Sequence, residues 1–328
     1  MKKKHFIILI ASLALVVAIL SVALILKDNT NVGEKISEEL RLAKETFRIE
    51  LNYTKDEYYI YGLKKVKNVE NASIIVPDTI DGIPVTKIID KETDFYGFNN
   101  IASIKLGKNI KYIGTNAYST DSNKVYGDNI FSGATSLAYI DVDKDNQTFV
   151  SVDGVLYNKD KTVIIKYPAN KTKDVDHNTH AYTILDTVEL IYQKAFYCNK
   201  SIEIINIPDS VKVIDIESFS DCESLYTIRF GSSIKEIRAL AFNNCSNLDT
   251  VVLPNSLSNL SNRVFKDCKK LVNITFNSNI EFVGTNLFTG CSSLNSIYVL
   301  DEFYESLVEL FETAKLKEEI SKIKVLEK

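Results

Sequence analysis

Apolar residues recur every 23 positions through the carboxyl-terminal half of the chain. A phenylalanine opens each repeat, and in four repeats a cysteine follows three positions later and a leucine three beyond that. The columns are Phe196, Phe219, Phe242, Phe265 and Phe288; Cys222, Cys245, Cys268 and Cys291; and Leu225, Leu248, Leu271 and Leu294. A fixed period of this length is typical of stacked structural repeats. We therefore interpret these residues as a repeating structural core rather than as a single site.

Each repeat is predicted to contain a short strand followed by a turn. After the leucine, apolar residues follow the spacing L-x-x-I-x-F, as in LDTVVL at 248–253. Alternation with a period of two indicates a strand with one buried face. Turn-forming stretches such as PDS at 208–210 follow, and then comes a second apolar pair, for example Ile234 and Ile237. One repeat cannot bury its own apolar face, so neighbouring repeats must stack.

The positions between the buried strand residues are predicted to face outward, because successive side chains of a strand point to opposite sides. In solenoids of this kind the strands line a concave surface that carries recognition. We take ten of these positions as candidate ligand-binding residues: Lys105, Tyr139, Asp141, Asn206, Thr227, Arg229, Thr250, Asn273, Thr275 and Tyr298. The other outward positions are Ser103, Ile204, Val252 and Ser296.

The stretch IPDSVKVIDIESFSDCESLYTI, residues 207–228, resembles the repeat of the BspA-like bacterial leucine-rich repeat surface proteins. In the same comparison DGIPVTKI at 81–88 looks like the family's opening unit, 153–172 like its inserted hairpin and 297–326 like its closing helix and strand. The repeat departs from the pattern at Asn199, where Cys198 comes one place early, and at Ala134, which takes the cysteine position.

The resemblance implies a fold and a domain order. The fold is a leucine-rich repeat solenoid of the α/β class, with short strands on the concave face and irregular or short helical segments on the convex side. The solenoid is expected over 53–300, with an inserted hairpin near 143–185. A helix with one apolar face, containing Leu307 and Phe311, is expected to cap its end within 301–328.

The amino terminus predicts export. Residues 1–5, MKKKH, form a basic cytoplasmic segment, and 6–26 form an uncharged run of 21 residues, long enough to span about 30 Å. Lysines before the run direct the rest of the chain outward. Either the run is a signal anchor, giving a single-pass protein with extracellular repeats, or it is cleaved after Ser21-Val22-Ala23 and the protein is secreted without residues 1–23.

Residues 27–52 are predicted to form a polar linker and then a short helix. The linker is KDNTNVGEK, and the apolar residues after it stand at helical spacing. They are Ile36, Leu40, Ala43 and Phe47. Because solenoid ends must be sealed, this helix is expected to cover the first coil or to stand between the coil and the membrane.

Composition narrows the range of partners. Hydrophobic residues make up 45% of the chain and charged residues 25%, which suits a folded core. The net charge is −4 and no basic stripe occurs, so nucleic acid is excluded as an expected partner. We expect a membrane contact through the amino-terminal helix, a protein ligand, and no cofactor.

No set of residues predicts catalysis. The five cysteines lack histidine partners and C-x-x-C pairs, so neither zinc nor disulfides are expected. His177 and His180 are interpreted as loop residues. Calcium near Asp141–Asp145 is left open, although the glycine and glutamate of a calcium loop are missing there. No nucleophile has a matching base and acid, so an enzyme is not expected.

Two functions remain from the sequence. The resemblance implies a non-catalytic surface protein that mediates protein–protein binding or adhesion, with a host, matrix or other cell-surface protein as ligand. The alternative is an envelope-localised structural or sensory scaffold whose partner lies in the same membrane or cell wall. The brief linker after residue 26 favours the scaffold if the anchor is retained.

Overall fold

The computed structural model describes residues 38–63, 72–89, 101–114, 130–171 and 180–326. Within those ranges, no helix combines the length and the apolarity that crossing a membrane requires. The predicted cytoplasmic segment 1–5 and signal anchor 6–26, and most of the predicted linker, lie outside the described residues.

The amino-terminal elements form a small mixed sheet. Helix α1 (Glu38–Thr46) leads into strand β1 (Phe47–Leu51), which pairs antiparallel with β2 (Tyr58–Leu63). Strand β2 runs parallel to β5 (Ile83–Ile89). The predicted helix is therefore shorter than its apolar pattern, since it ends at Thr46 and Phe47 begins a strand. Two further strands complete this sheet, β4 (Thr79–Ile80) and β7 (Tyr112–Gly114).

The strands that the L-x-x-I-x-F spacing predicts form parallel ladders between successive repeats. They fall into three hydrogen-bonded groups. The first group is β3 (Ala72–Ile75), β6 (Ile101–Leu106) and β8 (Tyr139–Val142). The second is β12 (Ala181–Thr183), β14 (Ile204–Asn206) and β16 (Thr227–Arg229). The third includes β18 (Thr250–Val252), β20 (Asn273–Phe276) and β22 (Ser296–Leu300). We call the outward surface of these strands the strand face.

A second series of parallel strands runs behind the first. The second member of the second apolar pair, such as Ile237, lies in a two-residue strand in each repeat, and these strands stack in register. They are β13 (Leu190–Ile191), β15 (Val213–Ile214), β17 (Glu236–Ile237), β19 (Asn259–Leu260) and β21 (Phe282–Val283). Turns occupy the rest of each described repeat outside the two strand series, in agreement with the expectation of irregular segments, and the two-residue strands are a feature that the sequence did not predict.

An antiparallel insert interrupts the repeats between β8 and β12. Strands β9 (Phe149–Val152) and β10 (Val155–Asn158) form a hairpin closed by Asp153 and Gly154. Strand β11 (Val163–Lys166) pairs antiparallel with β10 and parallel with β13. The insert thus extends the second strand series, and it lies within the predicted range 143–185.

The chain closes with helices and a last strand. A 3₁₀ turn (Asp301–Phe303) precedes helix α2 (Tyr304–Thr313), and a short helix α3 (Lys317–Ile320) precedes β23 (Ile323–Leu326). Leu307 and Phe311 of α2 are buried in the core of the last repeats. Strand β23 pairs parallel with β22. That this segment acts as a cap remains a prediction.

The phenylalanine column forms a stack of aromatic rings through the core. All five side chains are at most 4% exposed. Successive rings lie nearly parallel, with interplanar angles of 8–12° and centroid distances from 4.7 Å at Phe196–Phe219 to 6.1 Å at Phe265–Phe288. Tyr167 extends the stack at the insert, 5.1 Å from Phe196. The leucine column is buried beside it, so each repeat contributes one layer to a continuous core.

The cysteine column forms hydrogen bonds between neighbouring repeats. Each thiol donates to the main-chain oxygen of the phenylalanine one repeat earlier, for example Cys245 Sγ to Phe219 O at 3.2 Å. The same contact is made by Cys222, Cys268 and Cys291. All five cysteines are free thiols. Each of these carbonyl oxygens also accepts a main-chain N–H from its own repeat, so the thiol adds a second hydrogen bond that links neighbouring repeats.

Asn199 performs the same task where the column lacks a cysteine. Its side chain is fully buried, and its Nδ2 donates to the main-chain oxygens of Pro168 and Ala169. Its Oδ1 accepts from the main-chain nitrogens of Ser201 and Ile202, each at 3.0 Å. The asparagine is thus the residue that closes the insert onto the first regular repeat.

We expect Asn199→Cys to destabilise the protein by about 1–3 kcal/mol, although it restores the family pattern. A thiol can donate to a carbonyl, but it is a poor acceptor for two buried N–H groups, which would lose their partners. Thermal and urea unfolding of the full-length chain in a mild detergent measure the loss. Asn255→Cys, at an exposed asparagine, is the matched control and should stay within about 0.5 kcal/mol. Equal stability of the two variants would contradict the role assigned to Asn199.

Candidate binding surface

The structure places all ten candidate residues on strands, with their side chains reaching the solvent. Each is half-buried or exposed. Lys105, Tyr139 and Asp141 lie on the first group of strands, and the other seven lie on the second and third groups. They are therefore distributed over the strand face rather than gathered at one point, and ligand binding by them remains a prediction.

Polar side chains on the strand face contact their equivalents one repeat away. Arg229 donates to Asn206 Oδ1 at 3.2 Å, and Asn206 donates to Thr183 Oγ1 at 2.9 Å. On the first group, Lys105 Nζ lies 3.6 Å from an Asp141 carboxylate oxygen. These contacts hold the rotamers of long side chains in a fixed array. An array of this kind offers donors, acceptors and charge to a partner with little loss of side-chain entropy.

Exposed apolar groups lie between the polar ones. Val252 is 52% exposed on the strand face, Tyr226 is 52% exposed just before β16, and Tyr139 is 45% exposed at the boundary of the insert. The Tyr139 ring covers Gly154, where a Cβ would overlap it. Lys171 Nζ lies 6.0 Å from the centre of the same ring. Amphipathic residues of this type are enriched at protein interfaces.

One predicted outward position is wrong. Ser296 is only 1% exposed, and its hydroxyl accepts a hydrogen bond from Lys324 Nζ at 2.5 Å. Lys324 belongs to β23, which adds a strand beyond the last repeat. The repeat period ends before this strand, so spacing alone did not place it against Ser296.

The structure also reveals a pocket that the sequence did not predict. It lies where the insert meets strand β12, and its volume is about 300 Å³. The hairpin contributes Val152, Asp153 and Val155, and the other side is formed by Thr183 and Leu185. The spacing between β8 and β12 was the signal available, because the insert makes it longer than one repeat. We call this space the hairpin pocket.

The described residues do not form a metal centre. No group of three or more histidine, cysteine or acidic residues in the described ranges could hold a metal ion. His180 Nδ1 instead lies 2.6 Å from a Glu203 carboxylate oxygen, and His177 lies outside the described residues. Asp141 pairs with Lys105, and Asp143 Oδ1 accepts from the Asp145 main-chain nitrogen. These carboxylates are occupied in local contacts.

Burial lowers the reactivity of the thiols in the cysteine column. Removal from water raises the pKa of the thiols of Cys222, Cys245 and Cys268, because it disfavours the charged thiolate. A thiol that stays protonated is a poor nucleophile and a poor metal ligand. The column therefore serves packing and hydrogen bonding.

Comparison with known proteins identifies the repeat. A family model described as BspA type leucine rich repeat region matches residues 70–178 and 189–317 in six copies. The crystal structure of the pneumococcal vaccine antigen PcpA matches with a TM-score of 0.55 at 18% sequence identity, over 86% of this chain and 96% of that chain. At this identity the similarity shows the fold alone. No curated protein sequence is significantly similar.

A second solved structure has a lower score. It is a leucine rich cell surface protein from Faecalibacterium prausnitzii A2-165, which matches with a TM-score of 0.46 at 17% identity, over 83% of this chain and 95% of that chain. At this TM-score the match supports no conclusion about the present chain.

Proposed function

Because the chain belongs to the BspA-type leucine-rich repeat family, we propose that it is a non-catalytic surface protein that binds a protein ligand through its strand face. The ligand is a host protein, a matrix component or another cell-surface protein. The alternative is a scaffold in the envelope whose partner lies in the same membrane or wall.

The observation that carries this proposal is the ordered polar array on the strand face. The fold needs the inward strand residues for its core, but it does not need Arg229 to contact Asn206 or Lys105 to contact Asp141. Exposed ion pairs and hydrogen bonds add little to stability. A prearranged set of polar and apolar groups on an accessible surface is better explained by recognition of a partner.

The proposed location is the outer side of the cell membrane. The apolar run 6–26 would anchor the protein with its repeats outside, or the protein would be secreted after loss of residues 1–23.

Site-specific photocrosslinking tests the proposed surface. A benzophenone amino acid replaces Thr250 on the strand face, and the matched control replaces Lys269, which is equally exposed but lies in a turn away from that face. The full-length proteins are displayed on the source cells and irradiated. We expect a discrete covalent adduct from position 250 and none from position 269, because only the first lies in the interface.

The identity of the crosslinked protein and the position that it crosslinks to distinguish the two proposed functions. A host or matrix protein in the adduct supports binding or adhesion, whereas a resident envelope protein supports the scaffold. Adducts that form equally from both positions, or only from position 269, would contradict a binding role for the strand face.

A further inference from the structure

The hairpin pocket interrupts the strand face at a defined place. Strand β12 is the edge strand of its hydrogen-bonded group, and it pairs with β14 on one side. Among the described residues no strand pairs with its other edge, and the hairpin tip lies across that edge with the pocket between them. An unpaired strand edge is where an extended segment of another protein can lie along a sheet.

The size of the pocket limits what it can hold. A volume of about 300 Å³ is at the lower end of the range for ligand pockets. It suits one side chain rather than a cofactor. The half-buried side chains of Val152 and Leu185 supply apolar walls, which can cover the methylene groups of a long side chain.

The charge in the pocket comes from Asp153. This residue stands at the hairpin turn with a φ of 50°, and it is an exposed residue of the pocket lining. In the described part of the chain no hydrogen bond or ion pair engages that carboxylate. A carboxylate without a partner beside apolar walls is complementary to a cation on an aliphatic stem.

A basic residue, Lys171, lies at the same turn. Lys171 Nζ donates to the main-chain oxygen of Asp153, and it lies near the Tyr139 ring. It is not a lining residue of the pocket. Its hydrogen bond to the main-chain oxygen holds the turn in place.

From this geometry we infer that the hairpin pocket receives a lysine or arginine side chain from an extended segment of the protein partner. The inference rests on the proposed function, and it specifies the chemistry of one contact. The aliphatic stem lies against Val152 and Leu185, and the cationic group pairs with the Asp153 carboxylate.

Titration with short peptides tests the inference. The probes are Gly-Thr-Lys-Thr-Gly and Gly-Thr-Arg-Thr-Gly, with leucine and glutamate versions as comparison peptides, and binding to the full-length chain in neutral detergent is followed by ligand-observed NMR. We expect the lysine and arginine peptides to bind about fivefold more tightly than the leucine peptide, as one partly exposed ion pair allows. The glutamate peptide should bind most weakly.

Two variants and one control locate the contact. Asp153→Asn keeps a residue that tolerates a positive φ and should remove the fivefold preference for cationic peptides without changing the affinity for leucine. Ala181→Leu should weaken all the peptides, because Ala181 lines the pocket and a larger side chain would narrow it. Glu305→Gln removes an exposed carboxylate on α2 and should change nothing.

The peptide titrations can fail while the photocrosslinking test of the strand face succeeds, so the two tests are independent. Equal binding of all peptides, no binding of the cationic peptides to the wild-type chain, or an unchanged preference in Asp153→Asn would overturn the inference. An adduct at position 250 under those results would leave the proposed function standing. Thermal unfolding of each variant verifies that it is folded.

Discussion

Replacing Phe242 with alanine is expected to lower the free energy of unfolding by about 3–5 kcal/mol, as removal of a large aromatic side chain from a packed core does. Phe242 is fully buried. Its ring stacks between Phe219 at 5.2 Å and Phe265 at 5.7 Å, and the edge of Phe230 contacts it at 6.0 Å. Truncation therefore removes three ring contacts and leaves a cavity in the middle of the stack.

Urea unfolding of the full-length protein in a mild detergent measures this loss. Phe282→Ala is the matched control, because it removes the same side chain from a position that is 51% exposed. We expect the control to lose much less stability, since most of its ring is already in water. A loss below about 1 kcal/mol for Phe242→Ala would show that the phenylalanine stack does not hold the repeats together.

The second large effect is expected at Lys166, where Lys166→Met should stabilise the protein at pH 7. Lys166 is fully buried, and its Nζ lies 3.4 Å from the Lys194 main-chain oxygen. Burial lowers the pKa of Lys166 from 10.5 to about 8, because the ammonium loses its hydration. At 1.36 kcal/mol per pKa unit, carrying the charge into the fold costs about 3 kcal/mol.

The sign of the pH dependence follows from this lowered pKa. Below pH 8 the amine is protonated in both states, so the folded protein bears the full cost of the buried charge. Between pH 8 and 10.5 the folded state releases its proton before the unfolded state does, and the cost disappears. The advantage of Lys166→Met over the wild type should therefore be greatest at pH 7 and should shrink through this window.

Comparison of the two proteins removes the contribution of the Cys245 and Cys268 thiols, whereas Cys222 and Cys198 interact with the Lys166 charge. Burial raises the pKa of Cys245 and Cys268, which destabilises both proteins alike as the pH rises above the usual thiol pKa. Unfolding free energies at pH 7, 8, 9 and 10 provide the measurement. Lys235→Met, at an exposed lysine, should show no such trend. A variant that is less stable than the wild type at pH 7, by an amount independent of pH, would contradict the buried charge.

The sequence predicted the repeated core because each repeat buries the same kinds of side chain at the same positions. Phe219, Cys222 and Leu225 recur at one spacing, and the structure buries all three. The outward strand residues could be predicted for the same reason, since side chains of a strand alternate between its faces. Arg229 and Asn206 thus lie in register on the strand face.

The insert was recognisable, but its contacts were not. Residues 149–166 contain no repeat period, so no column shows which other strands they contact. Strand β11 pairs with the second strand series, and this pairing buries Lys166. From the sequence alone, a lysine would be expected to be exposed. The hairpin pocket also results from the strand pairing of the insert. Pairing between strands that are distant in sequence brings the hairpin tip at Asp153 to the edge of β12.

What the sequence by itself determined is the stacking of repeats, the identity of the buried columns and the outward row, since all three follow from a local period. Tertiary structure alone decided the second strand series, the burial of Lys166 and Ser296, and the hairpin pocket. The burial of Lys166 and Ser296 and the hairpin pocket depend on which strand lies beside another where the period is broken. The second strand series follows the 23-residue period, but its strands are only two residues long and show no alternation from which a strand could be predicted. A periodic pattern specifies its neighbours at every repeat, whereas an interruption is placed only by the contacts that the folded chain makes.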